Sequence, residues 1–184
     1  MSNAAGEPIT FGAIYEDYFD FVFRAARRLG VANDALDDIV QETFLVVHRR
    51  LGEQSGSVRS WIYGIMVHVV RNHRRTLRRK QPYVFGEHGP DPDALAAESD
   101  GPERRAEKAE AARRLYEILH ELDDEKREVF VLVELEQLPV TEVAEALGTK
   151  LNTVYSRLRL ARAAFEERVR EHLLRDDAEK ERTA

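Results

Sequence analysis

Cysteine is absent from all 184 residues. That excludes a disulfide framework, a thiolate zinc site and a cysteine nucleophile, and it fits a reducing compartment. Long apolar runs are absent as well. No stretch approaches the ~18 uninterrupted apolar residues of a membrane span, and the opening MSNAAGEPIT lacks the basic flank and apolar core of a secretory signal. A cytoplasmic chain with no membrane insertion is expected. Alternating-period strands are missing too, and the six histidines form no metal spacing: there is no H-E-x-x-H, and His68 and His73 stand five apart. No serine or carboxylate pair has the context of a nucleophile or an acid/base couple, so neither an enzyme nor a cofactor site is expected.

Basic charge is also short: 34 Asp plus Glu outweigh 28 Lys plus Arg, for a net charge of -6. A DNA-binding chain is ordinarily basic. Yet the segment LPVTEVAEALGTKLNTVYSRLRLAR, Leu138 to Arg162, reads as two short helices hinged at Gly148. Thr141 is placed to cap the first helix, which buries Val143, Ala144 and Leu147. The second starts at Asn152 or Thr153 and buries Val154, Leu158 and Ala161 at helical spacing. Its outward face presents Asn152, Thr153, Tyr155, Ser156 and Arg159 near the helix N-terminus, where a recognition helix meets base edges and phosphates. Arg157 is placed to reach back to Glu142.

What is present elsewhere is helical periodicity, broken once. From Pro82 to Glu103 the chain holds four of its six prolines, three glycines, six acids and no Lys or Arg. Such a stretch reads as a flexible acidic linker. The expected fold is all-α, with two small helical domains, 1–81 and 104–184, joined by the linker 82–103, and a helix-turn-helix in the second. The first domain holds helices from Phe11 to Leu29, from a cap at Asn33 or Asp34 to about Leu51, and from about Ser57 to Lys80. In the second, Glu103 to Leu122 and Asp124 to Glu136 precede the hinged pair.

Two further stretches carry charge in a pattern. Arg59 to Lys80, RSWIYGIMVHVVRNHRRTLRRK, has seven Lys or Arg and no acid. Ile62, Ile65 or Met66, Val69 and His73 define its inward stripe, while Arg71, Arg74, Arg75 and Arg78 recur at i, i+3, i+4 and i+7 as one basic ridge suited to a phosphate backbone. Trp61 and Tyr63 add flat surfaces on which unpaired bases can stack; a core position for Trp61 and a solvated arginine face are the competing readings. In DALDDIVQETFLVVHRR, Leu36, Val40, Phe44 and Val47 face inward, whereas Asp37, Asp38, Gln41, Glu42 and Leu45 line up outside. An acidic stripe with an exposed leucine has the character of a protein docking surface, plain solubility being the alternative.

The three stretches, in this order and with an acidic linker between, resemble bacterial RNA polymerase sigma factors of the extracytoplasmic-function (ECF) class over nearly the whole chain. DDIVQETFLVV looks like the helix that binds core polymerase, SWIYGI with its arginine-rich continuation like the promoter-melting and -10 segment, and REVFVLVELEQLPVTEVAEALGTKLNTVYSRLRLAR like the -35 reading domain. The resemblance assigns Asp37, Asp38, Gln41, Glu42 and Phe44 to the polymerase clamp, Arg71 and Asn72 to the -10 element, and Asn152, Thr153, Tyr155, Ser156 and Arg159 to the -35 element. It implies core RNA polymerase and promoter DNA as partners, with an anti-sigma factor a candidate third. The loop GEQSGSVRSW lacks the Phe and Arg that many members carry before the Trp, and Gly64 stands where an Arg is common. Net acidity fits this resemblance, since polymerase supplies the nonspecific grip and the chain adds sequence choice. A stand-alone helix-turn-helix regulator and a sigma mimic that titrates an anti-sigma factor are the alternatives.

Overall fold

A computed structural model describes residues 10–54, 56–80 and 101–183. Among these there is no strand; seven α-helices form two groups of three and four. Most of the expected linker lies outside the described residues. Its last three positions do not: Gly101 is the cap and α4 begins at Pro102, where a proline at the first turn has no amide to leave unpaired.

The first group packs α1 (Phe11–Arg28), α2 (Asn33–Arg49) and α3 (Val58–Lys80), with a short 3-10 turn at Leu51–Glu53. Thr10 caps α1, its hydroxyl accepting from the Ala13 amide at 3.2 Å. Gly30 ends the α1 turn at φ 87°, a backbone region that glycine enters without strain. The residue before α2 is Ala32, which offers no side-chain cap, and Asn33 is the first helical residue rather than the cap. Ile14, Val22, Ala25, Leu36, Val40, Phe44 and Val47 are buried between these helices.

The second group holds α4 (Pro102–Glu121), α5 (Asp124–Phe130), α6 (Val140–Ala146) and α7 (Leu151–Thr183). Asp123 caps α5 by accepting from the Lys126 amide at 2.9 Å. The chain then widens into a π-helical turn, Val131–Leu135, before the corner at Gln137, φ 56°. The widening lets the helix bury Val129, Phe130, Val131 and Leu132 consecutively. At the start of α6 the capping position is Pro139, so Thr141 lies inside the helix and does not cap it. Gly148, φ 60°, makes the turn to α7, which begins at Leu151, one residue before the expected start.

The groups pack against each other through a seam of opposite charges. Arg28 and Arg59 of the first group meet Glu136 at 2.5 and 3.7 Å. Arg71 grips Glu128 with two parallel hydrogen bonds of 2.9 and 2.5 Å. Arg74 and Arg78 reach Asp124 at 3.0 and 2.9 Å. In each of these pairs the arginine comes from the first group and the carboxylate from the second. Ser60 adds a hydrogen bond to the Glu142 carboxylate. Where α3 passes α6, a Cβ at Gly64 would stand 3.0 Å from the carbonyl oxygen of Ala146. Buried apolar residues of both groups form one continuous cluster.

Candidate nucleic-acid interface

Helix α7 presents its first two turns as the sequence pattern requires. Val154, Leu158 and Ala161 are buried, holding the helix against α5 and α6. On the other side Asn152, Tyr155, Ser156 and Arg159 are exposed and Thr153 half-buried. Tyr155 is 54% exposed, high for so large an apolar ring. The Ser156 hydroxyl donates to the Thr153 carbonyl oxygen at 2.9 Å. Arg157 bridges to Glu125 of α5 at 2.6 Å, not to Glu142; Glu142 is engaged by Ser60 instead. The face is therefore polar, with Arg159 projecting and Arg157 turned back to the scaffold.

The arginine ridge of α3 exists, and three of its four arginines are engaged by α5, Arg74 mostly buried and Arg71 and Arg78 still partly exposed. Arg71, Arg74 and Arg78 lie along α3 against Asp124 and Glu128 of α5. The side chain of Glu128 is only 2% exposed, so its charge is held by the guanidinium groups that surround it. Its hydrogen bond raises the pKa of Arg71 above the usual arginine value, with burial opposing and the negative charge of Glu128 adding to the rise. Arg74 is shifted the other way: burial lowers its pKa, and the carboxylates of Asp124 and Glu128 offset part of that. Arg75 remains exposed, donating to Asn72 Oδ1 at 3.1 Å, while Asn72 is half-buried.

The aromatic pair at the start of α3 divides. Trp61 is half-buried and packs on the core cluster while lining an open groove of about 390 Å³ with Gly64, His68 and Arg50. Tyr63 is not a surface for bases in this arrangement. It is fully buried, its ring 4.6 Å edge-to-face from Phe21, and burial followed by the neighbouring Glu136 carboxylate pushes its hydroxyl pKa well up. Phe21 of α1 closes one side of the ring, and Glu136 of the C-terminal group lies close enough to act on its hydroxyl.

A third face lies on α2. Asp37, Asp38, Gln41 and Glu42 are exposed and Leu45 is 49% exposed. Phe44, by contrast, is buried, stacked on Phe19 at 6.3 Å. It forms the floor of an apolar groove of about 390 Å³ bordered by Tyr15, Asp37, Gln41 and Leu45. Sequence reasoning missed Tyr15, exposed at 42% on α1, which extends this face; its signal was the i, i+4 aromatic series Phe11, Tyr15, Phe19, Phe23. Among the described residues no cluster of His, Asp or Glu could hold a metal ion, and no helix is long and apolar enough to cross a membrane.

Three helices with an arginine ridge thus pack against four that end in a helix-turn-helix with a polar outward face. Residues 14–80 match the family model of sigma-70 region 2, and residues 112–165 that of sigma-70 region 4. The RNA polymerase sigma factor NccH of Alcaligenes xylosoxydans xylosoxydans is 30% identical over 162 residues, 87% of this chain and 87% of its own. The ECF RNA polymerase sigma factor SigE of Mycolicibacterium smegmatis is 29% identical over 160 residues, 86% of this chain and 61% of its own. Among solved structures, the sigma factor RpoE bound to the anti-sigma factor NepR, from Bartonella quintana, superposes with a TM-score of 0.73 at 18% identity, covering 87% of this chain and 96% of that one. CnrH bound to the cytosolic domain of CnrY superposes at 0.64 with 24% identity, covering 88% of each chain. The chain belongs to the RNA polymerase sigma factors of the ECF class. As such it binds core RNA polymerase and directs it to promoter DNA.

Proposed function

We propose that the work is divided among three faces: the acidic α2 face with Leu45 docks on core polymerase, the α3 ridge with Trp61 and Asn72 meets the -10 element during melting, and the outward face of α7 reads the -35 element. The observation that carries this reading is the two-sided first turns of α7, where Val154, Leu158 and Ala161 are buried while Asn152, Tyr155, Ser156 and Arg159 stand free on the opposite side. That arrangement is what a helix needs to enter a major groove while anchored to a domain. The domains are then 1–81 and 104–184, with the acidic segment 82–103 between them. The chain catalyses no reaction; binding energy from captured bases lowers the cost of strand opening. It acts in the cytoplasm, and an anti-sigma factor is a further partner, as NepR is for RpoE.

Run-off transcription tests the reading: core polymerase with the purified chain, on a library of genomic fragments, is expected to yield transcripts whose start sites share two upstream elements at fixed spacing. Transcripts with no shared upstream elements would overturn the division of labour, and a defined shift of palindromic DNA by the chain without polymerase would favour a stand-alone regulator.

A further inference from the structure

The outward face of α7 carries two apolar side chains that hydrogen bonding to base edges leaves unexplained. Leu151 opens the helix, and the carbonyl oxygen of Lys150 just before it accepts from the Thr153 and Val154 amides at 2.9 and 3.2 Å. Leu151 is 38% exposed, and Tyr155, one turn further along the same side, is 54% exposed. Among the described residues neither packs on the core cluster. From Leu151 to Phe165 the chain has no acidic residue, although its net charge is -6. A pair bordered by exposed Lys150, Asn152 and Arg159, with no carboxylate on the helix beside it, suits a polyanion.

We propose that Leu151 and Tyr155 form an apolar reader for the 5-methyl group of a thymine in the -35 element, beside the hydrogen-bonding reader made by Asn152, Ser156 and Arg159. The proposal rests on the -35 assignment of α7. Leucine has neither donor nor acceptor, so it discriminates among base edges by contact alone. The thymine methyl is the apolar group that the major groove offers. The two positions are separated by about 6 Å of helix rise, less than two steps of about 3.4 Å along a strand, so both fit on one base pair or on two adjacent ones. Leu160, also exposed, stands on the opposite flank of the Asn152 and Ser156 column, about 7.5 Å beyond Tyr155 and outside that step. The pair complements its neighbours: Arg159 suits guanine and Asn152 adenine, and apolar contact adds the thymine discrimination that these donors lack.

Deoxyuridine isolates the contact, because it pairs as thymidine does and lacks only the 5-methyl group. Holoenzyme assembled from core polymerase and the full chain first selects its motif from a randomised -35 library. Each thymine of that motif, on either strand, is then replaced in turn by uracil, and affinity is measured by competition. The parent is expected to lose about fourfold at one position or two adjacent ones, the factor that follows from burying one methyl-sized group, and nothing at the others. Leu151→Ala is expected to reduce that thymine-to-uracil ratio, and Leu151→Ala with Tyr155→Ala to bring it to one. Both side chains are exposed, so the helix stays folded, and a loss of folding would in any case weaken the two duplexes alike and leave the ratio unmoved. A motif without thymine, or uracil accepted as well as thymine at every position, would overturn the methyl contact. A ratio undiminished in the double variant would overturn it too, as expected if the pair grips a protein surface instead. The two readings fail separately: holoenzyme that selects no -35 motif sinks the whole assignment of α7, whereas a selected motif indifferent to uracil sinks the methyl contact alone.

Discussion

The guanidinium of Arg127 donates to the carbonyl oxygen of Leu29 at 3.2 Å, joining the start of α5 to the end of α1. The same group donates to the carbonyl oxygens of Leu119, His120 and Leu122 at 2.6 to 2.8 Å, so one buried cation closes the C-termini of two helices from opposite halves. Burial is the main reason its pKa falls to about 10, with repulsion from Arg74 adding to the fall. Arg127→Met is expected to lower stability by about 2–4 kcal/mol, because several carbonyl groups lose a donor together. Gly30→Ala should act in the same direction, since its Cβ would stand 2.5 Å from Arg127 Nη1 at a left-handed backbone position. Thermal melts of both variants check this; an unchanged midpoint for Arg127→Met would show that water replaces the cation without loss.

A pH dependence follows from the α5 cap. Burial pushes the Asp123 carboxyl up, but the Lys126 side chain and amide together hold it below the ordinary aspartate value. The unfolded chain then binds more protons than the folded one between the folded pKa and 3.8, so stability from this group is complete above that value and declines as pH falls through the folded pKa. Asp123→Ala is expected to cost about 0.5–2 kcal/mol at neutral pH. The gap between parent and variant should narrow in denaturant titrations at the acidic end; a gap that stays constant would assign the whole cost to the neutral hydrogen bond.

Charge reversal at Asp38 and Glu42 together should weaken binding to core polymerase while leaving the circular dichroism spectrum unchanged, since both are exposed on α2. Leu45→Asp should add to the loss, its side chain being half exposed beside the Phe44 groove. Unchanged affinity in both variants would remove this face from the polymerase contact.

The two sides of α7 should fail differently. Tyr155→Ala and Arg159→Ala are expected to relax base preference in the -35 element, each lost base contact costing about 1–3 kcal/mol against the preferred base. Leu158→Ala should instead unfold the second half more readily, by about 2–5 kcal/mol, and reduce binding to every sequence alike. Selection from a randomised -35 library, paired with melts, distinguishes them; an unaltered selected motif for both outward variants would disqualify the helix as a reader.

The helices themselves were legible because apolar spacing is local: Phe11 to Arg28 and Val58 to Lys80 follow their periodic runs closely. What failed was mostly whatever depends on residues far along the chain. Arg71 finds Glu128, 57 positions away, and no spacing rule announces that partner. Tyr63 looked like a flat surface in a basic run, yet its ring is buried edge-to-face on Phe21 of α1. Arg157 was matched to Glu142 by proximity in sequence, yet Ser60 of α3 takes that carboxylate. Thr141 has the chemistry of a cap, but Pro139 already sets the extended backbone at which α6 begins, two residues earlier. On α7 the outward residues could be placed in advance because their inward partners lie on the same helix.

Helix α7 is unbroken over 33 residues, a rod of about 50 Å. Its first turns carry the outward polar face, Phe165 stacks on Phe130 at 4.5 Å near the middle, and Arg168 ties to Glu121 at 2.9 Å beyond it. Buried Val154 and Leu158 fix the rod on one side of that stacking and the Arg168 bridge fixes it on the other, so the outward polar face and the stretch with exposed Leu173 and Leu174 share one scaffold and keep a set bearing to each other.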